Sequence, residues 1–190
     1  MIRSFLAIEL PEAIRKRIEE IQADLKSSHS DVRWVNPGKI HLTLKFFGNI
    51  EESQVDTITK SIEPLIAVIP HFSVEVRGMG AFPNIRNPRV LWLGLVDERQ
   101  VLVPLQKQLE STLGTIGFQA EDRPFRPHLT LGRMNSSRGR DELIERIQKY
   151  KEERFGDFEV RRFVLFKSDL KPTGPIYTVL RELKLGQGKG

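Results

Sequence analysis

His41-Leu42-Thr43-Leu44 and His128-Leu129-Thr130-Leu131 are the same four residues written twice, 87 positions apart. The chain has only four histidines, so half of them stand in identical settings. Read as β-strands, the two tetrads put Leu42, Leu44, Leu129 and Leu131 into a core. They turn His41, Thr43, His128 and Thr130 to the opposite face. Each strand then presents an imidazole beside a hydroxyl on a rigid, apolar-anchored support.

Working outward from the tetrads, the repeat extends over each half. At the same offset Phe5-Leu6-Ala7-Ile8 falls on Trp92-Leu93-Gly94-Leu95, and both read as short buried strands. A helix follows each. In the first half its apolar positions are Ile14, Ile18, Ile21 and Leu25, after Pro11 and with Glu12 in the first turn. In the second they are Val101, Leu105, Leu109 and Leu113, with Asp97 as the candidate N-cap. Loops at Val35-Asn36-Pro37-Gly38 and Arg123-Pro124-Phe125-Arg126-Pro127 lead into the tetrads. Second helices are expected near 52–66 and 140–151. Closing strands are expected at Phe72–Val76 and Phe158–Phe163, with short additional strands near Gly80–Pro83, Val164–Lys167 and Tyr177–Leu185. The segment Phe82–Arg89 reads as the loopiest stretch. Each half therefore reads β-α-β-α-β, and two similar lobes around a shared cleft are expected. The domain reading is one bilobal unit over residues 1–185, with the sequence repeat at roughly 1–87 and 88–185, and a flexible tail at 186–190.

The bulk composition narrows the chemistry. There is no cysteine, which removes disulfides, thiol nucleophiles and cysteine-bound metals and fits a reducing, cytoplasmic setting. A net charge of +5 leans toward anionic partners, although a basic solvated surface explains it equally well. The apolar start, Ile2–Leu10, is interrupted by Arg3 and Glu9 and stopped by Pro11, so neither a signal segment nor a membrane span is expected. No glycine-rich phosphate loop is present.

Two imidazoles facing one phosphodiester form an acid–base pair. One, neutral, takes a proton from water; the other, protonated, gives one to the departing oxygen. Threonine hydroxyls can donate to the non-bridging oxygens as charge grows there. Two histidines without a third ligand fall short of a metal set, so neither metal nor cofactor is expected. A single such tetrad would be read as structural; two in aligned positions favour function. His29 and His71 read as incidental. Candidate substrate contacts are Arg133, just after the second tetrad, Lys45 and Phe47 by outward parity, and Arg126 on the His128 face if extended. By the same parity Phe46 belongs to the core, and Trp34 reads as packing.

The duplicated motif resembles the two-histidine (2H) phosphoesterase superfamily. Arg33-Trp34-Val35, His41 to Gly48, Pro88 to Trp92 and Phe125 to Arg133 are similar to its RNA 2′,3′-cyclic phosphodiesterase branch, also called 2′-5′ RNA ligases. The resemblance implies an α+β fold of two pseudo-symmetric lobes, each an antiparallel sheet with helices on the outer face, enclosing a central cleft, and metal-independent opening of a 2′,3′-cyclic phosphate to a 2′-phosphate. It implies His41 as proton donor, His128 as proton acceptor, and Thr43 and Thr130 as phosphate ligands; spacing alone leaves the two histidine roles interchangeable. Reverse 2′-5′ joining is also implied. Expected partners are RNA ends or nucleotides bearing a 2′,3′-cyclic phosphate, acted on by a monomer. The alternatives are a phosphodiesterase for small cyclic nucleotides and a non-catalytic RNA- or nucleotide-binding module.

Overall fold

The computed structural model describes residues 1–172 and 174–186. β1 (Ile2–Glu9) leads into α1 (Glu12–Lys26); β2 (Val32–Trp34) and β3 (His41–Ile50) precede α2 (Gln54–Ala67). β4 (Phe72–Asn84) and β5 (Asn87–Val96) form a hairpin before α3 (Leu102–Gly114). β6 (His128–Met134), α4 (Arg140–Lys149), β7 (Arg154–Val160), β8 (Arg162–Lys171) and β9 (Gly174–Lys184) complete the order. The strands form two antiparallel sheets. The first runs β3-β1-β8-β9 and the second β2-β6-β5-β4-β7.

The sheets do not follow the sequence repeat. β1 and β3 of the first half lie in the first sheet, but β2 and β4 lie in the second; β5, β6 and β7 lie in the second sheet, but β8 and β9 return to the first. The helices cross in the same way. α1 follows a strand of the first sheet yet packs on β7 and α4, whereas α3 follows a strand of the second sheet and packs on β3 and α2. Each half therefore sends its first helix and its closing strand to the other half's sheet. The helix-facing sides of both sheets bury one continuous apolar cluster, including Leu6, Ile18, Leu42, Ile58, Leu91, Leu109, Leu129 and Ile147. On the other face of the first sheet Phe5, Ala7, Val164 and Phe166 form a separate small cluster, with Tyr177 packed against it.

Local chemistry accounts for most element boundaries. α1 buries Ile14, Ile18, Ile21 and Leu25 as its spacing requires. The N-cap of α3 is Val101, not Asp97 as expected; the Asp97 carboxylate instead reaches forward from four residues upstream and accepts from the backbone N–H groups of Val101 and Leu102, the latter at 3.0 Å.

Three other expectations are corrected. Phe158–Phe163 is not one strand: the chain turns at Arg161, so Phe158 and Val160 belong to β7 and Phe163 to β8. The separate strands at Phe72–Val76 and Gly80–Pro83 are one, β4, whose Arg77-Gly78 bulge is eased by a positive φ of 74° at Gly78. The stretch read as loop pairs Pro83 with Pro88 and Asn84 with Asn87 as the end of the β4–β5 hairpin. Of the expected tail, Gly186 bridges to Pro70, and 187–190 lie outside the described residues. Among the described residues no helix is long and apolar enough to cross a membrane.

Candidate active site

The two tetrad strands share a distortion that strict alternation does not foresee. In β3, Thr43 lies opposite Ala7 and Lys45 opposite Leu6; in β6, Thr130 lies opposite Trp92 and Gly132 opposite Leu91. Each strand carries one residue more than its neighbour at the fourth tetrad position, a β-bulge. Burial follows the same sequence in both: His half-buried, Leu buried, Thr half-buried, then two buried residues, then an exposed one. The bulge reverses side-chain parity beyond Leu44 and Leu131.

That reversal overturns two expected contacts. Lys45 turns inward and is 3% exposed. Its Nζ donates to Glu110 Oε2 at 2.7 Å and to the Gln119 carbonyl at 2.5 Å, so it holds β3 to α3 and not a phosphate. Phe47, half-buried, packs edge-on against Phe118 at 5.1 Å, and both lie against the main core. Phe46, expected inside, is 50% exposed and lies 5.8 Å from Phe5 on the face that His41 shares. The same reversal brings Arg133 onto the face of His128 and Thr130. It lies opposite Val90, two residues along β5 from the Trp92 that faces Thr130.

Buried amides hold both bulges. Gln22 of α1 donates through Nε2 to the carbonyls of Val35 at 2.8 Å and Leu131 at 3.1 Å. Gln106 of α3 reaches the Leu44 carbonyl at 3.5 Å and Glu110 Oε1 at 2.8 Å. The crossing helices thus place a glutamine of each half on the bulge of the other half's tetrad. Sequence reading missed both. The available signal was a polar residue inside an apolar helical stripe, Gln22 one turn after Ile18 and Gln106 beside Leu105.

The imidazoles are anchored alike. His41 Nδ1 lies 2.9 Å from the Lys39 carbonyl, and His128 Nδ1 lies 2.6 Å from the Arg126 carbonyl. A carbonyl can only accept, so Nδ1 carries the proton and Nε2 is left as the working nitrogen of each ring. Arg126 therefore serves His128 through its backbone, while its side chain is exposed. The surroundings differ. His41 stacks on Phe5 at 4.6 Å and meets the edge of Tyr177 at 5.4 Å. Burial lowers its pKa from the ordinary 6.5, opposed by the Lys39 carbonyl and by Glu9, its cross-strand neighbour. His128 meets Phe82 edge-on at 5.1 Å and lies opposite Gly94, which offers no side chain.

β3 and β6 belong to different sheets yet approach one another directly. Trp34 packs against the core, as read. Two open grooves, of about 620 Å³ beside Ile85 and Ile144 and about 350 Å³ beside Trp92 and Arg77, have no tetrad residue in their lining. Among the described residues no three His, Cys, Asp or Glu side chains group as metal ligands.

The family model for the 2′-5′ RNA ligase superfamily matches residues 10–172. An RNA 2′,3′-cyclic phosphodiesterase of Methanothermobacter thermautotrophicus is 38% identical over 184 residues, which cover 97% of this chain and 99% of that protein. One from Thermotoga maritima is 35% identical over 190 residues, covering 98% and 97%. Among solved structures, TT0787 of Thermus thermophilus superposes with a TM-score of 0.82 at 29% identity, covering 98% of this chain and 100% of that one. Escherichia coli LigT complexed with 3′-AMP gives a TM-score of 0.78 at 26% identity, covering 98% and 99%.

Proposed function

The chain belongs to the 2′-5′ RNA ligase superfamily of 2H phosphoesterases, and on that premise we propose that it hydrolyses RNA 2′,3′-cyclic phosphate ends to 2′-phosphates without a metal. The observation that carries this reading is the matched anchoring of two imidazoles, each with Nδ1 on a carbonyl and Nε2 free. The relatives' names support the substrate class, and the 3′-AMP held by LigT supports a nucleotide-sized ligand.

In this reading His128 is the base. Its neutral Nε2 takes a proton from water as the water oxygen bonds to phosphorus. The bond from phosphorus to O3′ breaks, and His41, protonated on Nε2, gives that proton to O3′. The products are a 3′-hydroxyl and a 2′-phosphate. Thr43 and Thr130 donate to the non-bridging oxygens, where charge accumulates. Burial disfavours the His41 imidazolium in the free protein, so the acid role requires the bound phosphodiester anion to charge the ring. The same attack with a 5′-hydroxyl in place of water, O3′ again leaving, joins RNA through a 2′-5′ linkage.

The test is an oligoribonucleotide ending in a 2′,3′-cyclic phosphate, incubated in EDTA with wild type, His41→Ala and His128→Ala. Conversion to the 2′-phosphate by wild type, lost in both folded variants, is the expected result. Undiminished turnover in either variant rejects the paired mechanism. No turnover of this RNA, with efficient opening of a small cyclic nucleotide, favours the small-substrate reading. Binding without turnover favours the binding module.

A further inference from the structure

Arg33 of β2 and Arg133 of β6 are directly opposite one another in the second sheet. Both are exposed, and directly opposed residues share a face, which here is also the face of His128 and Thr130. Like charges in this position destabilise a strand pair. Among the described residues neither guanidinium has a carboxylate within ion-pair distance or any side-chain hydrogen bond. The nearest acid in sequence, Asp31, is taken by Ser136 Oγ at 2.6 Å and Asn135 Nδ2 at 3.1 Å. Two unpaired arginines held side by side on a strand pair form an anion site, and guanidinium forks match phosphate oxygens in geometry.

The position of the pair identifies the anion. Measured on β5, Arg133 lies two residues from the level of Thr130, about 7 Å along the strand. The two side chains therefore leave the strand about one nucleotide step apart, so an arginine extended away from Thr130 can meet the next phosphate of a nucleotide chain. Resting on the proposed function, in which Thr130 binds the terminal cyclic phosphate, we infer that Arg33 and Arg133 clamp the internal phosphodiester on the 5′ side of the terminal nucleotide. The pair then determines specificity. A cyclic mononucleotide has no such phosphodiester, whereas every RNA end does. Arg33 comes from the first half of the chain and Arg133 from the second, so the clamp exists only in the folded, interleaved protein.

The experiment compares adenosine 2′,3′-cyclic phosphate with the dinucleotide ApA ending in a 2′,3′-cyclic phosphate, using wild type, Arg33→Gln and Arg33→Glu. Arg33 is exposed, so both variants should fold; relief of the Arg–Arg repulsion should leave the Arg33→Gln melting temperature unchanged or higher. The expected result is a ratio of kcat/KM, dinucleotide over mononucleotide, that falls about ten-fold or more in Arg33→Gln, chiefly through KM. It should fall further in Arg33→Glu. The salt dependence of dinucleotide binding should weaken by about one phosphate contact. An unchanged ratio, or an equal loss on both substrates, overturns the clamp. If wild type turns over neither substrate, the proposed function fails. The clamp is then judged by calorimetry with 3′-phosphorylated ApA against 3′-AMP: preference for the dinucleotide that Arg33→Gln abolishes upholds it, and no preference overturns it.

Discussion

Gln22 donates to the carbonyl of Leu131 at 3.1 Å, so a helix from the first half of the chain fixes the bulge at the last residue of the second tetrad. The same carbonyl also accepts from the Val35 N–H at 2.9 Å, on the segment that leads toward the first tetrad. One buried amide thus joins the two motifs. Gln22→Leu removes both of its hydrogen bonds at nearly constant volume and should cost about 1–3 kcal/mol in urea unfolding. If the bulge positions His128, kcat should fall as well, since displacement on the ångström scale costs about 10²-fold. Lost stability with an intact kcat would make Gln22 a packing residue only.

Phe46 and Phe47 are adjacent and should respond in opposite ways. Phe47→Ala removes a half-buried ring packed on Phe118 and the core and should destabilise by about 2 kcal/mol, read by thermal or urea unfolding. Phe46→Ala should change stability little, because the ring is half exposed. It should instead raise KM, because it removes an aromatic surface beside Phe5 and His41. The opposite pattern would mean that no bulge separates them.

Lys45 and Glu110 form a buried ion pair at 2.7 Å. Lys45→Met leaves the Glu110 carboxylate without its cation in a largely buried site and should cost about 3–5 kcal/mol. The double variant Lys45→Met/Glu110→Leu should recover most of that loss, as apolar replacement of a buried pair often does. Failure of the second substitution to restore stability would show that Lys45 is needed for something other than this pair.

These three predictions arise where sequence reading and structure diverge, and the divergence has one cause. The tetrad alternation and the Ile14-Ile18-Ile21-Leu25 stripe are local patterns, and local patterns survive folding. The parity beyond Leu44 and Leu131 is not local. A period of two assumes an unbroken ladder, and the extra residue is set by the partner strand. The crossing of α1 and α3 is equally invisible, because an apolar stripe shows that a helix is covered but not by which sheet. Even the repeat shifts. Laid at one offset, Ala7 falls on Gly94, yet Glu9 is the residue opposite His41 and Gly94 the residue opposite His128. The displacement is two residues, so the faces are preserved while the register is not. For the candidate site, the histidines and threonines could be named from the duplication alone. Phe5, Tyr177 and Phe82, which surround the imidazoles, come from strands that carry no motif.

The interleaving makes the domain proposal testable. Residues 1–87 alone would have β1 and β3 without β8, and α1 without β7 or α4 to cover. Residues 88–190 alone would have β8 and β9 without β1 and β3, which complete the first sheet. Each fragment should be disordered by circular dichroism and rapidly proteolysed, and the full chain should unfold in one cooperative transition over residues 1–185. A folded, protected fragment would show that a half can stand as a domain.

His41 supplies the last prediction, for both stability and rate. Its folded pKa lies below the ordinary 6.5, first because burial disfavours the imidazolium. Between the folded and unfolded pKa values the unfolded chain binds more protons, so stability rises with pH. The contribution is therefore complete above about pH 6.5 and is lost as pH falls through the folded pKa. Unfolding free energy should decline as pH falls below about 6.5 in wild type and decline less in His41→Gln. The ring titration, followed by NMR in the free protein, should have its midpoint below 6.5 and move upward when 3′-AMP is added. That upward movement is what a proton donor in the complex requires. A midpoint that stays low with nucleotide bound would exchange the roles, making His41 the base and His128 the acid.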